Sequence, residues 1–188
     1  MLKKFFSLLI LIFVASTLIA QVQYVRYQVG VSYISPNKAS GYTISGTYQG
    51  EFLGIFRPGF GIQAMNMMSD TLGLLSHHSA LDANLSWGVA IKFKVRLQGG
   101  IGLFGRLWQR SFAADNSGPQ LYVIDGVNYT LSPGEFITYN YLTWGMFYYL
   151  NLGIDLTNNV SLYVFYQSKR DLQKDITNAL GLGLSFRM

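Results

Sequence analysis

The chain has 188 residues, of which 50% are hydrophobic and 15% aromatic but only 12% charged, against about 25% charged in an ordinary soluble domain. That length allows one domain, and the net charge of +5, or +3 once Lys3 and Lys4 are set aside, is too small and too dispersed for a nucleic-acid binder. There is no cysteine, which excludes both a disulfide framework and a lipid-modified N-terminal cysteine.

Met1-Leu2-Lys3-Lys4 precedes an apolar run from Phe5 to Ala20, the charged and hydrophobic regions of a secretory signal peptide, with cleavage expected after Ala20. Residues 1–20 are thus read as a signal and 21–188 as the mature domain. Beyond Ala20 no stretch reaches the 18 apolar residues of a membrane helix. The apolar residues alternate instead, in eight segments of period two.

The first, about Gln23 to Ile34, sets Val25, Tyr27, Val29, Val31 and Tyr33 against Arg26, Gln28, Gly30 and Ser32. The second, about Tyr42 to Phe52, opposes Tyr42, Ile44, Tyr48 and Phe52 to Thr43, Ser45, Thr47, Gln49 and Glu51. In the third, about Ile55 to Met67, Phe56, Phe60 and Ile62 oppose Arg57, Gly59 and Gln63, and Pro58 is expected near a strand start because it cannot donate to a ladder. The fourth, Leu81 to Phe93, and the fifth, Val95 to about Leu107, alternate most clearly and meet at a tight turn near Lys94. The sixth, about Tyr139 to Leu156, carries Leu142, Trp144, Met146, Tyr148, Leu150, Leu152, Ile154 and Leu156 on one face. A turn at Thr157-Asn158-Asn159 leads to a seventh from Val160, and an eighth runs from about Ile176 to Met188.

A membrane-spanning strand needs roughly 9–11 tilted residues with one face to lipid. The connections alternate between short ones near residues 53, 94 and 158 and longer ones at about 35–41, 69–80, 109–137 and 169–175, as in bacterial outer-membrane barrels. An all-β, eight-stranded antiparallel up-and-down transmembrane β-barrel is therefore expected, with those four long loops extracellular.

Charge placement supports this reading, since Lys or Arg on the lipid face at the midplane costs about 2–4 kcal/mol. Arg26, Glu51, Arg57, Asp82, Lys92, Arg96, Arg106, Asp155 and Arg187 all fall on the small or polar face, which predicts a lumen network of paired charges in a narrow polar interior. The opposite orientation, a soluble barrel with its large apolar side chains inside, fails on volume, because eight strands enclose little more than their own side chains.

The signal, the alternating segments and the ending Leu180-Gly-Leu-Gly-Leu-Ser-Phe-Arg-Met188 resemble the small outer-membrane β-barrel proteins of the OmpX and OmpA-barrel type and their porin-like relatives. The resemblance implies residence in the outer membrane of a Gram-negative cell and recognition of the last strand by the barrel-insertion machinery. It also implies contact with outer-membrane lipid and lipopolysaccharide. In that family the last residue is usually aromatic; here it is Met188, with Phe186 in the aromatic parity.

The candidate catalytic group is His77 and His78 with Ser79 and Asp82, the residue types of a base, a hydroxyl and an orienting carboxylate. The expected function is nevertheless non-enzymatic, in surface interaction or envelope integrity through the outer loops. A lipid A-modifying enzyme using His77 or His78 is the alternative, and a small-solute channel the second. No cofactor or metal is expected, because adjacent histidines alone make a poor site. Arg110, Lys169, Arg170 and Lys174 are candidate partners for lipopolysaccharide phosphates. Within 109–137, Asp125-Gly126 between two β-prone runs predicts a projecting hairpin over 120–131, the candidate site for an extracellular partner.

Overall fold

The computed structural model describes residues 22–35, 39–53, 55–71, 74–92, 95–113, 118–124, 127–173 and 175–188. The expected signal, the Asp125-Gly126 turn, Lys94 and Lys174 lie outside these residues. The strands are β1 (Val22–Ser35), β2 (Ala39–Glu51), β3 (Phe56–Thr71), β4 (Leu74–Lys92), β5 (Arg96–Ala113), β6 (Gln120–Ile124), β7 (Val127–Leu131), β8 (Phe136–Asp155), β9 (Val160–Asp171) and β10 (Ile176–Arg187). Eight of them close into an antiparallel barrel in the order β1-β10-β9-β8-β5-β4-β3-β2, while β6 and β7 form a separate hairpin.

The outer surface is what the alternation demands. Val31 is 65% exposed, Leu142 78% and Leu182 59%, and β8 presents Leu142 through Leu156 outward at every second position. So much contiguous apolar surface is stable only against hydrocarbon. The inward face carries the buried polar and charged residues Arg26, Arg57, Gln63, Asp82, Gln98, Arg106 and Lys169. Pro58 is the third residue of β3, beside the turn at 52–55, consistent with its missing N–H.

Glycine at two inward positions of β5 sets the width of the lumen. A Cβ on Gly102 would lie 2.3 Å from the Leu85 carbonyl oxygen and 2.4 Å from the Phe147 ring, whereas one on Gly105, facing outward, would meet nothing within 4 Å. Gly102→Ala is therefore expected to cost about 1–3 kcal/mol by overpacking, and Gly105→Ala essentially nothing. Urea unfolding of the refolded barrel in lipid vesicles would compare the two.

All four expected loops are corrected by the ladder. The segment 69–80 is mostly strand, since β3 continues to Thr71 and β4 starts at Leu74 with Thr71 paired to Leu74. Likewise β5 runs to Ala113 and β8 begins at Phe136, which shortens the loop placed at 109–137. β9 continues through Lys169 and Arg170 to Asp171 and β10 starts at Ile176, so the loop placed at 169–175 loses its first three residues to the ladder. The connection placed at 35–41 is shorter by strand residues at both ends, Ser35 and Ala39–Gly41. The reason is common to all four. Above the bilayer a sheet has water on its outer face, so the apolar alternation that marks a membrane strand ends before the hydrogen bonds do.

A protruding sheet and a filled lumen as candidate functional sites

The barrel wall is uneven at its outer end. β9 pairs with β8 only from Gly145, which faces Asp171, and β2 meets β3 up to Met68. β5 and β8 stay paired up to Ala113 and Phe136, and β4 and β5 up to Leu75 and Ala113. The twenty residues of β8, at about 3.4 Å each and a tilt near 45°, rise through about 45 Å, well beyond an apolar band of about 25 Å. β3, β4, β5 and β8 thus form a sheet standing above the opposite wall. Among the described residues β8 above Trp144 has β5 as its only ladder partner, and the Trp144 carbonyl accepts from the Leu172 N–H at 3.1 Å.

Cross-strand rows record where this sheet leaves the apolar band. Ala64, Leu81, Leu107 and Leu142 make one outward row, and the next row out is Asn66, Ser79, Gln109 and Asn140. One step of the pleat changes the row from hydrocarbon-compatible to amide and hydroxyl.

The β6–β7 hairpin folds back over the inner face of this sheet, where Leu131 is buried against Phe112, Tyr129 and Ile137. Gln120 pairs with Leu131 and Ile124 with Val127, the register of a two-residue connection.

β5 serves as a ruler for the lumen, its inward residues running Arg96, Gln98, Gly100, Gly102, Phe104, Arg106, Trp108, Arg110 and Phe112 from the periplasmic end outward. At the first level Arg96 Nη2 reaches Asp155 Oδ1 at 3.0 Å and Arg96 Nη1 reaches Ser161 Oγ at 3.3 Å. Arg57 pairs with Glu51, which also accepts from Tyr24 Oη at 2.9 Å, and the Arg57 guanidinium lies 4.4 Å from the Tyr24 ring centroid. Near Gln98 the lumen holds a cavity of about 30 Å³ lined by Arg26, Gln49, Gln63, Asn84, Tyr149, Phe147 and other residues, room for about two waters.

Above the Phe104, Phe147 and Tyr149 cluster sits the centre of the network. Arg106 holds Asp82 bidentately, Nε to Oδ1 at 2.7 Å and Nη2 to Oδ2 at 2.9 Å, and Lys169 Nζ donates to Asp82 Oδ2 at 2.6 Å. All three side chains are 0–1% exposed. Arg106 also donates to Thr177 Oγ1 at 2.8 Å, and both cations lie over the Phe104 ring, at 4.7 and 5.1 Å from its centroid. A carboxylate shared by two cations leaves a local positive excess, which the aromatic face partly offsets.

The next lumen layer outward is apolar rather than polar, with Ile34, Ala39, Met65, Met67, Ala80 and Trp108 packed together. The expected polar lumen is corrected here: alternation shows which residues point inward, not that methionine and tryptophan occupy the inward positions of one level. Over this layer Arg110 pairs with Asp175 and lies 4.7 Å from the Trp108 ring centroid.

The proposed catalytic group does not assemble. His77 and His78 are adjacent strand residues and so point to opposite faces of β4. His77 Nε2 lies 2.9 Å from Asn66 Oδ1 on the outer face. His78 is buried inside, with Nε2 2.9 Å from Ser76 Oγ and its ring edge-on to Trp108 and Phe112. Its Nδ1 has no partner, so nothing orients the ring as a base. Ser79 points outward, and Asp82 is engaged by Arg106 and Lys169.

Of the lipopolysaccharide candidates, Lys169 and Arg110 are corrected, because both face the lumen and are paired there. Arg170 is exposed on the outer face, and Lys174 lies outside the described residues. Arg187 keeps the inward parity but is exposed at the end of β10. Sequence reasoning missed Lys169 as the third member of the central network; its parity with Ser161, Tyr163 and Phe165 was the available signal, hidden by assigning it to a loop. No group of three or more metal-ligating side chains occurs among the described residues.

These features define the fold of the small outer-membrane β-barrel proteins. No family model matches the chain, and no curated protein matches it. Among solved structures it is similar to Ail, the attachment invasion locus protein of Yersinia pestis, with a TM-score of 0.57 and 11% identity over 90% of this chain and 100% of that one. It is also similar to OprG of Pseudomonas aeruginosa, at 0.56 and 12% over 90% and 96%, and to Neisserial surface protein A, at 0.52 and 12% over 88% and 94%. At such identities the shared property is the fold.

Proposed function

We propose that this chain is a non-enzymatic protein of the Gram-negative outer membrane whose work is done outside the cell by the sheet of β3, β4, β5 and β8 and the hairpin docked on it. The observation that carries this reading is the protrusion itself. Among the described residues β5 is the only ladder partner of β8 from Phe136 to Thr143, and a sheet edge is a template for adding a strand from a partner. Burial of Leu131 against Phe112 and Ile137 stiffens the sheet and lowers the entropy lost on binding.

Replacing residues 118–131 by a short Gly-Ser turn, together with Thr138→Pro on the β8 edge, is expected to reduce adhesion or aggregation of expressing cells severalfold. Heat-dependent gel migration should show a barrel still folded. Unchanged adhesion with an intact barrel would defeat the proposal.

The same reading makes the outer-leaflet lipid a partner through the row Asn66, Ser79, Gln109 and Asn140, with Arg170 as the remaining described cation for lipopolysaccharide phosphates, and leaves β10, with Phe186, to the insertion machinery. The divergent directions of His77 and His78 favour this over lipid A modification. Accordingly, cells expressing the chain with His77→Ala and His78→Ala are expected to show lipid A masses identical to those of cells expressing the parent. A difference in acyl chains would favour the enzyme. The small central cavity and the Trp108 layer likewise favour a closed barrel over a channel, and planar-bilayer recordings are expected to show no discrete conductance steps.

A further inference from the structure

Five buried polar atoms without a protein partner belong to residues that line one small cavity at the lower end of the lumen. They are Arg26 Nε, Arg96 Nε, Gln98 Oε1, Tyr163 Oη and Ser185 Oγ. The cavity measures about 10 Å³, the lower limit for a single water, so a slightly larger occupant requires the side chains around it to give way by a few tenths of an ångström. Arg26, Gln98, Tyr163 and Ser185 are each no more than 4% exposed, so bulk water does not satisfy them. An unmade hydrogen bond at such depth costs about 1–3 kcal/mol, and more for a charged group.

Four of the five atoms can donate: the two guanidinium Nε–H groups donate only, the Tyr163 and Ser185 hydroxyls donate or accept, and Gln98 Oε1 accepts only. Arg96 uses both Nη atoms on Asp155 and Ser161. Arg26 Nη1 donates to the Asn151 side-chain oxygen at 2.9 Å, in the amide orientation that lets the Asn151 nitrogen donate to the Leu150 carbonyl at 3.1 Å. Each arginine is thereby left with its Nε–H unspent.

A water molecule accepts two hydrogen bonds and must place two of its own protons, for which this lining offers Gln98 Oε1 and the hydroxyl oxygens. An anion accepts from all four donors and has no protons to place. Charge argues the same way. Arg96 has Asp155, but Arg26 has no carboxylate within salt-bridge distance among the described residues, only the Tyr163 ring at 5.2 Å from its guanidinium carbon. A buried arginine without a counter-charge is costly.

We propose that this cavity is a binding site for one monatomic monovalent anion of the chloride class, held between Arg26 and Arg96 with Tyr163 and Ser185 as hydroxyl donors. The ion neutralises Arg26 and ties β1, β5, β9 and β10 together through its four ligands. It is a resident counter-ion, enclosed by the barrel and independent of whatever binds outside.

The test uses the full mature chain refolded in detergent and crystallised with sodium bromide in place of chloride. An anomalous peak is expected in the cavity between Arg26 and Arg96, absent in the Arg26→Met variant. A cavity holding ordered water and no anomalous peak, or a peak unchanged in Arg26→Met, would overturn the proposal. Because that variant removes a buried side chain and can fail to fold, the second measurement uses the unchanged protein. Its unfolding rate in urea is expected to be about tenfold slower in sodium chloride than in sodium gluconate at equal ionic strength, as for a ligand that binds only the folded state. Equal rates in the two salts would overturn the site as well.

Discussion

Asp82→Asn is expected to be the most damaging single substitution in the lumen. Asp82 is the one carboxylate bonded to both Arg106 and Lys169, all three side chains being 0–1% exposed. Asparagine keeps the volume but removes the charge, leaving two cations buried over the Phe104 ring with no carboxylate between them to offset their mutual repulsion. Removing one partner of a buried ion pair costs about 3–5 kcal/mol, and here one removal strips two partners. The midpoint of urea unfolding in lipid vesicles should fall accordingly. Lys169→Met is expected to cost much less, because it removes the excess charge and leaves the bidentate Arg106–Asp82 pair intact. Combined with Asp82→Asn, it should recover part of the loss. If Asp82→Asn were no worse than Lys169→Met, the shared carboxylate would not be the centre of the network.

Leu150→Arg should destabilise the inserted barrel by about 2–4 kcal/mol. Leu150 lies near the middle of the outward run from Leu142 to Leu156 on β8 and is 49% exposed, a position whose neighbours can only be acyl chains. An arginine there has the whole half-thickness of the hydrocarbon between its guanidinium and any headgroup. At Leu156, where the same run ends, the substitution is expected to cost about 0–1 kcal/mol, because the side chain reaches the interface. The contrast separates depth from loss of leucine, since both variants delete the same residue. Equal costs at the two positions, read from unfolding in vesicles, would place the membrane elsewhere on the barrel.

The membrane-spanning part was legible because a bilayer enforces a strict two-residue period. A residue can face only lipid or lumen, so Leu150 and Asn151 declare their directions by type alone, and Arg26, Arg57, Asp82, Arg96 and Arg106 follow the same rule. Outside the bilayer that constraint lapses. Segment 69–80 reads as a loop from Ser69, Ser76, His77, His78 and Ser79, yet it carries ladder on both β3 and β4, because hydrogen bonding to β5 needs no apolar outer face. The candidate catalytic group of His77, His78, Ser79 and Asp82 failed for the same reason. Ser76, His77, His78 and Ser79 are neighbours in a loop but are split between two faces in a strand.

What the sequence alone determined about this protein is the barrel: the strand number, the direction of each membrane-embedded side chain and the hairpin at 120–131. These depend on local alternation and on turns, which a single stretch of chain expresses without reference to any other. Only the tertiary structure decided what meets across the lumen. Asp82 and Lys169 are 87 residues apart, Arg106 and Thr177 are 71 apart, and the unspent donors of Arg26, Arg96, Tyr163 and Ser185 come from four strands around one cavity. Parity assigns each of them to the interior, but their depth along the barrel axis depends on how far each strand is slid against the next. That stagger is a property of the closed sheet, and no single strand encodes it.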